Sequence, residues 1–252
     1  MQSFTKIFPA RAAFTVTAIA TLMGQVSSAA PVASPAPKTT AAAAVAATRP
    51  AQAPVIRLAA AGTRAAPQTQ LRSMMKFETV QWGGKPVQTL DEASRLLLAR
   101  AAAEKAGLRE VGLGYQDVYG IIEAETSWIQ RTGSSKDGTP NLGLAQFEPR
   151  TAKGLGLKDP SDPVQAVFAA AKYMKLGAQW ASGRIANLKS NPALYAAKLR
   201  EGVSVHYNLS IKGRNKWNGV NTAQLPVETQ RHIRNAAAGA KEAAQLARVR
   251  SA

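Results

Sequence analysis

One helix-length stretch constrains this chain more than any other: Tyr115 to Gln130, Y-Q-D-V-Y-G-I-I-E-A-E-T-S-W-I-Q. Val118, Ile121, Ile122, Glu125, Trp128 and Ile129 recur at the i, i+3, i+4, i+7 spacing of a helix with one face turned to a core. Five of the six are apolar and the sixth is a carboxylate set in the middle of the stripe. Glu123 falls on roughly the opposite face, toward water. A carboxyl aimed at its own core has to be neutralised, paired or used, and burial among apolar groups favours its proton-bearing form. The plain alternative is an ion pair with one of the many basic residues.

Those basic residues are abundant. Among 252 residues the formal net charge is +17, which favours polyanionic partners: nucleic acid, an anionic membrane, or an acidic polymer such as cell wall. Cysteine is absent and the only histidines are His206 and His232, so no disulfide framework, thiolate site or histidine-rich metal centre is expected. No cofactor or metal is implied. Any chemistry runs on carboxylates, amides and hydroxyls.

Residues 1–30 have the layout of a secretory signal: Lys6 and Arg11, an uncharged run from Ala12 to Val26, then Ser27-Ser28-Ala29 as small residues for cleavage. Export to the periplasm is therefore expected, with the signal cut off or kept as an anchor. Residues 31–70 are rich in Ala and Pro and contain neither acidic nor aromatic side chains, a composition with little to bury and hence a disordered tether. Order is expected from about Leu71, giving a domain over 71–252 with its core at 103–235.

Within it, Thr89-Leu90-Asp91-Glu92 reads as a capping box with Thr89 at the N-cap, opening a helix to about Lys105 that Gly107 stops. Thr132 to Gly143 is dense in turn formers and reads as loop. Pro149 starts a short helix that Gly154 ends; Asp162-Pro163 starts one to about Trp180, with Val164, Val167, Phe168, Ala171 and Met174 inward. Asn191-Pro192 opens another toward Tyr207, and Leu225-Pro226 precedes a last helix from Val227 to about Arg248. No alternating strand pattern and no internal repeat stand out. The fold class expected is all-α, a compact domain of about six helices.

Three separated motifs then give the chain a likeness. Glu125-Thr126-Ser127-Trp128 matches a Glu-Ser-x-aromatic pattern on a helix. Gly143-Leu144-Ala145-Gln146, with Pro149 after it, matches Gly-Leu-Met-Gln followed by Pro. His206-Tyr207-Asn208-Leu209-Ser210 matches Ala-Tyr-Asn-Ala-Gly, and Leu225-Pro226-Val227-Glu228-Thr229 is similar to a Pro-x-x-Glu-Thr stretch that often comes after it. In that order, over about Ala103 to Ile233, they resemble the lytic transglycosylase domain of the soluble (SLT) type, a branch of the goose-lysozyme-like muramidase superfamily. The departures are Thr for Ser at 126, Ala for Met at 145, His for Ala at 206, and Leu209-Ser210 for Ala-Gly. The last removes a glycine expected to serve a tight turn.

The resemblance implies a lysozyme-like fold and, as substrate, the glycan strands of peptidoglycan, cut between N-acetylmuramic acid and N-acetylglucosamine. It implies Glu125 as acid and then base, with a 1,6-anhydro ring as product and no water consumed. Ser135, Gly143, Gln146, Tyr207 and Asn208 are the substrate-side residues: Ser135 for an acetamido group, Gln146 for sugar amides unless it braces its loop, Tyr207 for Glu125 or the sugar, Asn208 near the backbone it steadies. Ordinary glycosidases generally use two carboxylates, and Asp137 is the second one available if the reaction is hydrolytic, unless it only forms an Asp-Gly turn. Trp128 is expected in the core. A hydrolytic muramidase and a non-catalytic peptidoglycan-binding assembly factor are the alternatives. Nucleic acid is not expected, since no zinc-finger, ribonucleoprotein or recognition-helix signature is present. The positive charge is assigned instead to the acidic wall or membrane surface.

Overall fold

The computed structural model describes residues 68–135 and 137–250. The expected signal at 1–30 and nearly all of the expected tether at 31–70 lie outside them. The described part is predominantly helical, in line with the all-α expectation: eight α-helices with two small hairpins. In order they are α1 (Gln68–Met74), β1 (Phe77–Trp82), β2 (Lys85–Leu90), α2 (Glu92–Ala106), α3 (Tyr115–Thr126), β3 (Thr132–Ser134), β4 (Pro140–Leu142), α4 (Pro149–Leu155), α5 (Pro163–Arg184), α6 (Pro192–Asn208), α7 (Ile211–Arg214) and α8 (Val227–Val249). Helix α1 starts at Gln68, just ahead of the expected onset of order, and buries Leu71.

Local chemistry sets the ends of these helices. The Asp162 side chain accepts from the N–H groups of Val164 and Gln165, Asn191 accepts from Leu194, and proline comes next after each in the first turn, where its missing N–H costs nothing. Gly107 ends α2 in the left-handed region at φ 64°. Three expectations are corrected. The N-cap of α2 is Asp91, whose carboxylate accepts from Ser94 N–H; Thr89 lies in β2, where its hydroxyl donates to the Trp128 carbonyl instead. Helix α4 runs through Gly154 and stops at Gly156, the glycine with positive φ. Helix α3 ends at Thr126, a turn short of Gln130.

The hairpins are a further difference. Strands β1 and β2 pair antiparallel across a two-residue Gly83-Gly84 loop, both glycines at positive φ, as a hairpin turn with matched twist requires. Apolar residues occur on both faces (Phe77 on one, Val80 and Val87 on the other), so no clean alternation marks these strands.

The core sits where α2, α3, α5 and α6 meet, around Leu98, Ala102, Val118, Ile122, Val167, Ala171 and Val205, each essentially inaccessible to water. Small residues set how closely the helices approach. At Gly202 a Cβ would come within 2.5 Å of Ala181 and 2.6 Å of the Trp217 ring, so α6 can sit on α5 only with glycine there. The most extensive pairing among the described elements is α3 on α8. A Cβ on Gly120 would lie 2.2 Å from the Ala236 carbonyl, and one on Gly239 would meet the Glu123 side chain at 2.8 Å. The two helices run antiparallel, and the Tyr119 hydroxyl, donating to Glu242 at 2.9 Å, fixes their register. Asp117, near the start of α3, accepts from Arg200 of α6 at 2.7 Å and from the Gly114 N–H at 2.8 Å.

Candidate active site

Glu125 occupies the last turn of α3, and the backbone just beyond that turn is unusual. Ser127 and Trp128 both take positive φ, 52° and 62°, a region that costs energy for residues other than glycine. The surroundings hold them there. The Trp128 ring is 1% exposed and packs on Tyr119 with centroids 5.1 Å apart, as expected for a core residue. Its carbonyl accepts from Thr89 at 2.7 Å. The sharp exit turns the chain away and leaves the Glu125 side chain 15% exposed, neither sealed in nor free in solvent.

The partner of that carboxyl is a histidine, not an arginine. His232 Nε2 lies 2.8 Å from Glu125 Oε1, and the ring is 5% exposed. Its Nδ1 is buried without a hydrogen-bond partner. With the proton on Nε2, the unpartnered nitrogen is a bare lone pair rather than a stranded N–H donor. Tyr207 stacks on the His232 ring at 6.2 Å and 20°, and on Phe147 at 5.5 Å and 28°. The Tyr207 hydroxyl donates to the Ala145 carbonyl at 3.0 Å, so the bond to Glu125 open to Tyr207 from sequence belongs to His232. Burial pushes the Tyr207 phenol well above its ordinary range and keeps it a donor.

His232 was not among the residues expected from sequence. What positions it is the Pro226-Val227-Glu228-Thr229 stretch that opens α8. Thr229, fully buried, donates to the Asn208 side-chain oxygen at 2.7 Å and so ties the start of α8 to the end of α6. Asn208 thus braces another side chain, and His232 comes less than one turn after Thr229.

The Gly143–Gln146 segment is a tight turn closed by reciprocal backbone bonds between Leu142 and Phe147. Gly143 has φ 74°, and a Cβ there would lie 2.1 Å from the Pro160 carbonyl, so no other residue fits. Gln146 donates through Nε2 to the carbonyls of Arg131, at 2.9 Å, and Gly143, at 2.7 Å. Both amide hydrogens therefore brace the loop, the role weighed against sugar binding from sequence. Thr126 joins this loop to α3 by donating to the Leu144 carbonyl at 3.0 Å, which shows why a hydroxyl is needed next to Glu125. Arg131 completes the junction, its guanidinium donating to the Glu125 carbonyl at 2.5 Å.

Ser135 stands in a separate network, donating to Glu148 at 2.9 Å and pairing with the Asn141 side chain. Asp137 accepts from the Thr139 N–H at 3.0 Å, an Asx turn whose hydrogen bonds hold its carboxyl below the usual carboxylate range. The departures at 206 and 210 are accommodated. His206 packs against Gly177, where a Cβ would come 3.2 Å from its ring, and burial near Arg214 lowers its pKa to about 4. Ser210 caps α7 with φ −57°, so no glycine is needed at that turn.

A predominantly helical domain with a partly exposed carboxyl, Glu125, in the last turn of α3 is compatible with the all-α lysozyme-like class. More specifically, residues 102–217 match the family described as Transglycosylase SLT domain, and the resemblance drawn from the motifs stands on that segment. At family level this supports a lytic transglycosylase-type, peptidoglycan-degrading function. Glu125, Ser135, Gly143, Gln146, Tyr207 and Asn208 fall inside the matched segment; His232 and the β1–β2 hairpin fall outside it. No curated protein and no solved structure matches the chain.

Proposed function

We propose that the chain is a lytic transglycosylase that cuts the β-1,4 bond between N-acetylmuramic acid and N-acetylglucosamine without water. Glu125 gives its proton to the glycosidic oxygen as the bond from the muramic C1 breaks. The carboxylate so formed takes the proton of the muramic C6 hydroxyl while that oxygen closes on C1, leaving a 1,6-anhydro end. Glu125 thereby regains its proton, and the cycle needs one carboxyl. His232 orients it through the Nε2 contact, and Tyr207, stacked behind the imidazole, limits the ring's movement.

The observation that carries this reading is the 2.8 Å Glu125–His232 pair at a carboxyl still 15% exposed. A neutral imidazole orients the carboxyl through one hydrogen bond without setting against it the full positive charge that an arginine carries. A hydrolytic route needs a second carboxylate to activate water. Asp137 is engaged in its own turn, and Glu148 accepts from Ser135, which favours the single-carboxyl route. Substrate-side roles for Ser135, Gly143, Gln146, Tyr207 and Asn208 belong to the same proposal, with Gly143 and Gln146 shaping the loop. So does export to the periplasm, which rests on the pattern of residues 1–30. Turnover of purified sacculi by the wild type and by Glu125→Gln tests the assignment: the variant is inactive if Glu125 moves the proton, and undiminished cleavage removes it from the mechanism.

A further inference from the structure

We propose that the β1–β2 hairpin, which precedes the matched family segment, extends the glycan-binding face, with Trp82 as a platform for a sugar ring. The inference rests on the function proposed above and adds a contact surface to it. Trp82 is 43% exposed at the hairpin tip, beside the Gly83-Gly84 turn. An indole left in water forfeits burial that a core position would supply, and here the fold does not require it: the base of the hairpin is already held by Thr89 and Leu90, both buried.

The register fixes which way the ring faces. Trp82 pairs with Lys85, Val80 with Val87 and Glu78 with Thr89, so these side chains share one face of the hairpin. On that same face the Thr89 hydroxyl reaches the Trp128 carbonyl at the exit of α3. Further out, the Arg131 guanidinium lies 6.0 Å from the centroid of the Trp82 ring while donating to the Glu125 carbonyl. A single guanidinium thus separates the indole from the backbone of the residue assigned to catalysis. At 6.0 Å the cation–π contact is at the edge of its useful range and leaves much of the ring open.

The occupant that suits this surface is the glycan strand itself. The flat apolar face of an indole accepts the C–H face of a pyranose, and Arg131 and Lys85 offer cations to the carboxylates of muramic units, those of the stem peptide or, on a strand without peptide, that of the lactyl group. Arg131, which touches both the indole and the Glu125 backbone, places the hairpin tip close to the end of α3. A neutral oligosaccharide uses only the indole, whereas peptidoglycan uses indole and cations together.

Full-length Trp82→Ala and Trp82→Phe, each also in the Glu125→Gln background, test this by sedimentation with purified sacculi and by cleavage of soluble glycan strands of graded length. The expected result for Trp82→Ala is binding weakened about tenfold, the scale of one lost stacking contact, with KM rising on long strands and kcat changed little. Trp82→Phe recovers part of the loss, and a far-UV circular dichroism spectrum like that of the wild type excludes unfolding. Wild-type binding by Trp82→Ala overturns the platform, as does a loss that is the same for the shortest and longest strands, or a change in oligomeric state that marks the indole as a contact between copies. Binding in the Glu125→Gln background needs no turnover. Trp82-dependent binding alongside undiminished cleavage by Glu125→Gln therefore sinks the catalytic assignment alone.

Discussion

Glu125 and His232 lie 107 residues apart in the chain and 2.8 Å apart in space. Glu125 was legible in the sequence because a carboxyl interrupting an apolar helical stripe is anomalous on its own. His232 was not, because its place depends on where α8 crosses α3, and one histidine in a basic, alanine-rich helix carries no local signal. His232→Ala is expected to lower kcat about 10- to 100-fold, the scale of one lost charge-assisted hydrogen bond, with little change in KM. His232→Gln, which keeps an N–H donor, recovers part of it; steady-state kinetics on soluble glycan strands check both. His206 has a different consequence. Its pKa falls from 6.5 to about 4 in the fold, so between those values the unfolded chain takes up a proton that the native state refuses. Stability is therefore constant with respect to this group above about pH 6.5 and declines as pH falls toward 4. Thermal unfolding across that window is expected to show a shallower loss of Tm with acid in His206→Phe than in the wild type.

Among the elements, the α3–α8 pair does most to assemble the site. It was foreshadowed only in part: both helices were expected, but the glycine-to-backbone contact that seats them comes from no periodicity. Gly120→Ala drives a Cβ to 2.2 Å from the Ala236 carbonyl, a backbone atom that cannot yield cheaply. A loss of about 2–3 kcal/mol in chemical denaturation is expected, with activity falling as the Glu125–His232 register slips. The termination of α3 at Thr126 was missed because Ser127 and Trp128 have no intrinsic leaning to positive φ; tertiary contacts at Trp128 impose it. Thr126→Val removes the hydroxyl that ties the Gly143–Gln146 turn to this helix and strands the Leu144 carbonyl. About 1–2 kcal/mol of stability and much of the activity are expected to go with it. The caps were legible at Asn191 and Asp162, where a short polar side chain precedes proline. At Thr89 a valid local pattern lost to a better use of the same hydroxyl, and the β1–β2 strands escaped notice because neither has a purely polar face.

On the scale of the whole molecule, composition indicated a polyanionic partner but not which one. A net charge of +17 cannot choose between nucleic acid and cell wall; motifs on separate elements that converge on one carboxyl favour the wall. If attraction to acidic polymer concentrates the protein on its substrate, retention on sacculi falls as salt shortens the screening length below about 10 Å, while kcat on soluble strands changes little. The most direct test of the central claim is mass analysis of the ends released from purified sacculi. The wild type is expected to leave 1,6-anhydro-muramic ends and Glu125→Gln none; reducing ends from the wild type, or anhydro ends from the variant, contradict a single carboxyl that gives up a proton and takes one back.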